Sequence, residues 1–219
     1  MSSQKTLALL IVAILIVAVA MFYYTAFMPN EGNTGIGEHG NGTQGGSGGK
    51  LGVGVTVEFF DGTTKTVDPS QIQYTLFPLT VYFQGQPIKS VTWHAYVQVD
   101  WVGDLTSLEL KGPMEVRSDT GVLLRKENML KSYSSSNPPP KNQWFEMWKF
   151  SLTAEDIEYS LPQTGDYTLK CSINVTATAM FASGVSSVKT ASASGNLPIS
   201  IQVSGLTVLY ADIQVQIFK

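Results

Sequence analysis

Residues 91–101 read VTWHAYVQVDW, and apolar side chains alternate with polar or amphipathic ones along the whole stretch. A second stretch, YTLKCSINVTATA at residues 167–179, has the same period of two. Successive side chains of a β-strand point to opposite faces of the sheet, so this pattern gives each strand one apolar and one polar face. It predicts antiparallel strands with one face on a core and the other toward water.

Similar runs occur along most of the chain after residue 50. Turn-rich segments such as Asp119-Thr120-Gly121 separate them, and residues 153–160 are the only segment predicted to form a short helix. Many short strands without alternating helices predict an all-β fold, an antiparallel β-sandwich rather than a barrel. Further clear strands are predicted at residues 51–59, 199–203 and 213–217, and weaker ones at residues 72–83, 105–110, 114–124 and 144–152.

The nonapeptide LPQTGDYTL runs from Leu161 to Leu169. It resembles the Leu-x-x-x-Gly-x-Tyr-x-Leu turn that enters a late strand of immunoglobulin-like and fibronectin-like domains. In those families the tyrosine closes the corner through its hydroxyl, a role that falls to Tyr167 here. The Cys…Trp…Cys framework of true immunoglobulin domains is absent. The resemblance implies an immunoglobulin-like sandwich and no particular function.

The N-terminal segment from Leu7 to Met28 is apolar almost throughout. As a helix it would be about 33 Å long, which matches a bilayer hydrocarbon core of about 30 Å. Lys5 precedes the segment, whereas Glu31 and Glu38 follow it. The positive-inside rule therefore predicts a single-pass transmembrane anchor at residues 1–28, with the N-terminus cytoplasmic and the C-terminal domain extracytoplasmic at the cell membrane.

A cleaved signal peptide is the alternative, since Ala18-Val19-Ala20 fits the small-x-small pattern for cleavage at Ala20. The length of the apolar segment favours an uncleaved anchor, and both interpretations export the rest of the chain. Residues 29–50 follow as a flexible Gly/Asn-rich linker, because this composition cannot bury enough apolar surface to offset the entropy of ordering it. The β-sandwich domain is then predicted at residues 51–219.

The composition argues against one class of partner. Charged residues make up 14% of the chain, the formal net charge is −3, and the only arginines are Arg117 and Arg125. A nucleic-acid interface needs clustered Lys and Arg to neutralise phosphates, so no nucleic-acid partner is expected. The single cysteine allows no disulfide within the chain.

No set of residues matches a catalytic, cofactor or metal motif, and none is predicted. Cys171 is in phase with Leu169 and Ile173, which predicts a buried core residue rather than a nucleophile or a copper ligand. His94 lies on the polar face of its strand, where sequence alone identifies no nucleophile partner. The acidic cluster at residues 155–158 fits no calcium-binding loop, so a solvated helix start is expected.

The aromatic-rich stretch WFEMWKF at residues 144–150 gives the clearest hint of a binding surface. Strict alternation places Trp144, Trp148 and Phe150 toward the core. Phe145 and Met147 would then face outward as an exposed apolar pair, which is typical of a partner surface.

Two sequons offer candidate modification sites. Asn41 and Asn174 each begin an Asn-x-Thr triplet, the acceptor pattern for N-glycosylation in an exported protein.

These features predict a non-enzymatic, membrane-anchored extracytoplasmic protein that binds a protein partner or forms part of a cell-envelope assembly. Two alternatives remain open. A structural subunit would self-assemble by exchanging a strand, residues 51–59 or residues 212–218, with the sheet edge of a neighbour. A membrane-anchored hydrolase with an unrecognised site would require the fold to bring His94 to a carboxylate and a serine.

Overall fold

Strands of alternating residues build two antiparallel sheets, as the period of two predicts. The computed structural model describes residues 46–69, 79–82, 87–202, 205–208, 210–213 and 215–218, with side chains for residues 47–69 and 87–202. The described elements are β1 (Gly46–Phe59), β2 (Thr64–Val67), β3 (Leu79–Tyr82), β4 (Ile88–Val102), β5 (Leu105–Ser118), β6 (Leu123–Ser134), β7 (Trp144–Thr153), α1 (Ala154–Ser160), β8 (Gly165–Phe181), β9 (Ser186–Gln202), β10 (Gly205–Val208), β11 (Tyr210–Ile213) and β12 (Val215–Phe218).

The strands divide between two sheets. Sheet A has the order β12-β1-β4-β7, and β2 also pairs with β1. Sheet B has the order β3-β11-β9-β8-β5-β6, and β10 also pairs with β9. Every pairing between these strands is antiparallel. The predicted all-β class, with two antiparallel sheets as in a sandwich, is confirmed.

The core lies between the sheets and consists of the apolar residues that the alternation singles out. Removing such side chains from water is the main favourable contribution to folding, about 25 cal/mol per Å² of apolar surface. The core residues of the four central strands are Leu51, Val53, Val55, Val57 and Phe59 of β1; Ile88, Val91, Trp93, Ala95, Val97 and Val99 of β4; Leu169, Cys171, Ile173, Val175, Ala177, Ala179 and Phe181 of β8; and Ala193, Leu197, Ile199 and Ile201 of β9.

The two sheets approach each other closely where β1 and β4 face β9. A Cβ atom added to Gly195 of β9 would lie 2.9 Å from Val53 Cγ1 and 3.2 Å from Trp93 Cζ3. Only a residue without a side chain fits this contact comfortably. The chain also joins the sheets on this side, because β11 pairs with β9 and β12, one residue later, pairs with β1. We call this side of the sandwich the closed side.

Side chains seal the opposite side, between β6 of sheet B and β7 of sheet A, which we call the open side. Tyr133 of β6 meets Phe145 of β7 edge to face, with ring centroids 5.8 Å apart. Arg125 of β6 lies over the ring of Phe150, with 5.6 Å between the guanidinium carbon and the ring centroid. Contacts of these two kinds contribute about 0.5–1.5 kcal/mol each.

The turn that enters β8 has the hydroxyl contact that the resemblance implies. Tyr167 Oη donates a hydrogen bond of 3.0 Å to the main-chain carbonyl of Gln163, four residues upstream. A tyrosine corner of immunoglobulin-like sandwiches makes the same kind of contact. It ties the connection between α1 and β8 to the start of β8.

The predicted helix at residues 153–160 is confirmed as α1. Thr153 Oγ1 accepts a hydrogen bond of 3.1 Å from the Asp156 N–H, and Asp156 Oδ2 accepts one of 2.9 Å from the Thr153 N–H. This capping box satisfies two N–H groups that a helix start leaves unpaired. Ile157 is fully buried and holds the helix against the sandwich.

The first strand begins at Gly46, inside the predicted linker 29–50, so the sheet extends further toward the N-terminus than residue 51. The glycine-rich start of β1 pairs residue by residue with the end of β4, from Gly46 opposite Val102 to Lys50 opposite Gln98. Strand pairing uses main-chain groups, which glycine carries like any other residue. Composition reflects side chains and not this main-chain pairing. For that reason the sequence-based prediction assigned these residues to the linker.

Several predicted segments lie outside the described residues. They include the anchor from Leu7 to Met28, the cleavage site at Ala20, the linker up to residue 45 with Asn41, and most of the weak strand at residues 72–83. Within the described part of the chain, no helix has the length and apolar character needed to cross a bilayer. The anchor and its orientation stay predictions.

We expect Gly195→Ala to lower the free energy of unfolding by about 1–3 kcal/mol, because an added methyl group overpacks the contact between the sheets. Gly165→Ala is the matched control, since a Cβ atom there meets only Tyr167 Cε2, at 3.8 Å. The control should change stability by less than about 0.5 kcal/mol. Chemical denaturation of the full-length chain in mild detergent measures both, and equal stabilities would contradict the close approach.

Candidate functional site

The predicted partner surface at Phe145 and Met147 does not face outward. Met147 is only 3% exposed and Phe145 is half-buried against the core. The cause is a β-bulge, in which β7 carries Met147 as an extra residue between its pairs with Ala95 and Tyr96 of β4. One inserted residue reverses the alternation along a strand. The predicted orientation is thereby corrected, because Phe145 and Met147 do not form an exposed apolar pair.

Cys171 is a buried core residue, as the sequence predicts. It pairs with Gly195 across β8 and β9, in the middle of the sandwich. Burial raises the pKa of its thiol far above the ordinary value. Because the thiolate is the nucleophilic form, this cysteine is inert while the domain is folded.

His94 lies on the outer face of sheet A, where β7 brings a carboxylate and β1 a hydroxyl to its ring. Its Nδ1 lies 2.7 Å from Glu146 Oε2 on β7, and its Nε2 lies 2.9 Å from Thr56 Oγ1 on β1. Thr56 Oγ1 also lies 2.9 Å from Thr66 Oγ1 on β2. An ionised carboxylate only accepts hydrogen bonds, so Nδ1 donates to Glu146 and Nε2 is free to accept from Thr56. We call these four residues the His94 network.

Gly54 has no side chain, which leaves room for the ring of Tyr96 beside the His94 network. Tyr96 stacks beside His94 with ring centroids 5.8 Å apart. Tyr96 also covers Gly54, where a Cβ atom would come within 2.6 Å of Tyr96 Cε2. Burial, followed by the charges of Asp68 and Glu146, raises the pKa of Tyr96 to about 12. The phenol therefore stays protonated at any physiological pH.

The His94 network has the order of groups that a proton relay needs, a hydroxyl, an imidazole and a carboxylate. Two features restrict it as a catalytic site. His94 is only 8% exposed, and the Thr56 hydroxyl is shared with Thr66. The fold thus brings His94 to a carboxylate and a threonine, where the hydrolase hypothesis expected a serine.

The acidic cluster at the start of α1 consists of Glu155, Asp156 and Glu158. Asp156 serves the capping box, and hydrogen bonds from Thr153 hold the pKa of its carboxyl below the ordinary range. Among the residues that the structure describes, no three His, Cys, Asp or Glu side chains converge as metal ligands do. The cluster is a helix start, as predicted from the sequence.

A surface groove of about 490 Å³ lies between α1 and the neighbouring residues of β6 and β7, at the open side of the sandwich. It combines two aliphatic side chains with one cation, two carboxylates, a phenol and a hydroxyl. We call it the α1 groove, and its lining residues are Leu124, Arg125, Leu152, Glu155, Asp156, Tyr159 and Ser160.

The groove has one exposed ring and an unequal balance of charge. Tyr159 is 90% exposed, the most exposed large hydrophobic residue in the described part of the chain. Arg125 is already paired, since its Nη2 lies 2.7 Å from Glu127 Oε1. Glu155 forms no ion pair with any described residue, so the groove keeps negative charge that a ligand can meet.

Little in the sequence indicates this groove. Arg125, Leu124 and Tyr159 are far apart in the chain, and nothing in their local patterns links them. The one available signal is Tyr159 itself, an aromatic residue at the solvent-facing end of a short acidic helix. Of the two predicted glycosylation sites, Asn174 is exposed on β8 and Asn41 lies outside the described residues.

Cys171 should make stability fall with pH in the mildly alkaline range. The folded-state pKa of its thiol is raised, so its contribution is fully present below an unfolded-state pKa of about 8.5 and declines as pH rises toward the folded-state pKa. Above about pH 8.5 the free energy of unfolding should fall by up to about 1.4 kcal/mol per pH unit more than in Cys171→Ala. Denaturation of both proteins between about pH 7 and 10 tests this, and parallel profiles would contradict it.

Comparison with known proteins finds no matching family model, no similar curated protein and no similar solved structure. The function is therefore inferred from the chain's own residues and their geometry.

Proposed function

We propose that this protein is a membrane-anchored, extracytoplasmic binding protein whose β-sandwich captures a basic segment of a partner protein in the α1 groove. The anchor is the segment from Leu7 to Met28, and the linker that follows it gives the domain reach above the membrane. The observation that carries the proposal is Tyr159, which stands 90% exposed at the wall of a groove.

The residue types at the groove match those that dominate binding energy in protein interfaces. Tyrosine and arginine are enriched among interface residues whose removal is most costly. A tyrosine supplies a large apolar ring and one polar atom, and few side-chain torsions are restricted when it binds. The half-buried Leu124 adds apolar surface to the groove at the start of β6.

Charge complementarity selects the class of partner. Glu127 neutralises Arg125, while Glu155, Asp156 and Glu158 leave α1 with an excess of negative charge. A Lys or Arg on the partner would meet these carboxylates, and an adjacent apolar side chain would cover Tyr159. Such pairing of opposite potentials determines specificity and association rate more than affinity.

We also propose that the sandwich is a variant of the immunoglobulin-like fold. In sheet A, β1, β4 and β7 follow the order of strands A, B and E, and in sheet B, β6, β5, β8 and β9 follow the order of C′, C, F and G. The Tyr167 corner lies at the start of the F-like strand β8, where that family carries it. Domains with this architecture are common at cell surfaces, which agrees with the proposed location.

The full-length chain in detergent micelles should select peptides from a displayed random library that carry Lys or Arg beside an aromatic or aliphatic residue. Tyr159→Ser should weaken binding of a selected peptide by about tenfold or more, because loss of a central aromatic contact costs more than about 1.4 kcal/mol. Fluorescence anisotropy with labelled peptide measures the dissociation constant.

Phe60→Ser is the matched control, because Phe60 is a similarly exposed ring, at 68%, outside the groove lining. Its binding should equal that of the wild type. Glu155→Gln should weaken binding and reduce its dependence on salt. Selected peptides without basic residues, or equal effects of the Tyr159 and Phe60 substitutions, would disprove the proposed site.

A hydrolase is the second candidate, and the chain of contacts from Thr56 through His94 to Glu146 is the observation that favours it. The groups stand in the order of a nucleophile, a base and an orienting acid. Turnover of p-nitrophenyl acetate by the full-length chain would then fall sharply in Thr56→Val, which keeps the shape of the side chain and removes its hydroxyl. Turnover that is unchanged in Thr56→Val and in His94→Ala would remove this candidate.

A further inference from the structure

The outer face of β1 carries glycines where neighbouring strands place aromatic rings. Leu51, Val53 and Val55 are buried in the core, so Gly52 and Gly54 between them lie on the outer face of sheet A. A Cβ atom at Gly54 would lie 2.6 Å from Tyr96 Cε2, and one at Gly52 would lie 3.4 Å from Trp144 Cη2. Glycine weakens a strand, yet here it leaves space for two rings close against the main chain.

Trp144 lies on this outer face and not in the core, where strict alternation places it. The bulge at Met147 reverses the facing of the residues before it, so Trp144 and Glu146 share the outer face of β7. β4 separates β7 from β1, and the indole reaches across it to Gly52, over two strand spacings of about 10 Å in total. A side chain that covers this distance lies along the sheet and turns one broad face outward.

Tyr96 lies along the sheet in the same way. It is directly paired with Gly52, yet its ring leans diagonally over Gly54. The ring of His94 stacks beside it, with 29° between the two ring planes. Tyr96 and Trp144 are both half-buried, as expected of rings with one face on the sheet and the other toward solvent. We call these two rings the ring platform.

Hydrogen-bonding side chains surround the ring platform and balance in charge. Glu146 Oε1 lies 3.4 Å from Lys149 Nζ, so this carboxylate and this ammonium group neutralise each other. Gln98 lies between Lys50 and Trp144 in the pairing of β1, β4 and β7. The side chains around the rings therefore comprise two cations, two carboxylates and one amide: Lys50, Lys149, Asp68, Glu146 and Gln98.

We propose that the ring platform binds a neutral polysaccharide. A sugar ring carries C–H groups on its broad faces and hydroxyl groups around its edge. The C–H groups match the electron-rich faces of Tyr96 and Trp144. The hydroxyl groups can donate to carboxylates and accept from the Gln98 amide or a lysine. Balanced charge gives no electrostatic preference for a polyanion or a basic peptide, which leaves an uncharged, hydroxyl-rich ligand as the best complement.

This inference does not depend on the α1 groove. The groove lies between α1, β6 and β7 at the open side, whereas the ring platform lies on the outer face of sheet A. The two sites also differ in ligand, because one is predicted to take a basic peptide and the other an uncharged polymer. A chain that fails to select basic peptides can still bind polysaccharide, so the two proposals fail separately.

The full-length chain, in a zwitterionic detergent without a sugar headgroup, should bind at least one of four immobilised neutral polysaccharides: mannan, laminarin, galactan and hydroxyethylcellulose. Heparin is the polyanionic control and should bind more weakly. Trp144→Leu keeps apolar bulk but removes the flat ring, so it should weaken binding by about tenfold or more. Trp144→Phe keeps a ring and should retain most of the affinity. Biolayer interferometry measures the dissociation constants.

Phe60→Ser is the matched control, because Phe60 is an exposed ring, at 68%, outside the ring platform. Its binding should equal that of the wild type, and chemical denaturation checks that each variant is folded. Gln98→Leu leaves both rings in place and should weaken binding severalfold, which tests the site even if Trp144→Leu does not fold. The inference would be overturned by no binding to any neutral polysaccharide, by equal binding to heparin, or by unchanged binding in folded Trp144→Leu or in Gln98→Leu.

Discussion

The fold depends on a close contact between the two sheets, where Trp93 of sheet A lies against Gly195 of sheet B. Trp93 is fully buried, and its indole Nε1 has no hydrogen-bond partner among the described residues. An unpaired buried N–H costs about 1–3 kcal/mol, so the packing of the ring must outweigh that loss. It can do so because Gly195 has no side chain and lets the ring approach the opposite sheet. The absence of a disulfide is consistent with a core that this contact and its apolar surroundings already hold.

The two sides of the sandwich differ in how the sheets are connected. At the closed side the sheets are joined by the chain itself, at the step from β11 to β12. At the open side residues 135–143 connect β6 to β7, and side chains fill the gap between the two strands, with Tyr133 against Phe145 and Arg125 over Phe150. Packing between side chains accommodates changes in local geometry more readily than main-chain hydrogen bonding between strands does. A short helix and a groove can therefore form at the open side without disturbing the strand ladders, and the candidate binding residues lie there.

Sequence periodicity was sufficient wherever local rules decide the structure. The alternation around Trp93 and Cys171 predicted which residues enter the core, and the short helix predicted at residues 153–160 is found as α1, with a capping box at Thr153. It failed at β7, because a single bulged residue, Met147, reverses the facing of its neighbours and leaves no mark in the composition. The α1 groove was also beyond the sequence. Its members are neighbours only after β6, β7 and α1 have packed, so no local pattern could indicate their proximity.

The glycine-rich start of β1 depends on neighbouring elements for its position. Glycine has no side chain to pack, and it weakens a strand through its greater entropy in the unfolded chain. From Gly46 to Gly54 the strand is therefore held by main-chain pairing with β4, by a second pairing with β12 at Gly49–Gly52, and by side chains lying on its outer face, Tyr96 over Gly54 and Pro69 over Gly52. A strand specified so weakly by its own side chains takes its position from its neighbours. In sheet A those neighbours are β4, which pairs with the whole segment, and β12, which pairs with it at Gly49–Gly52.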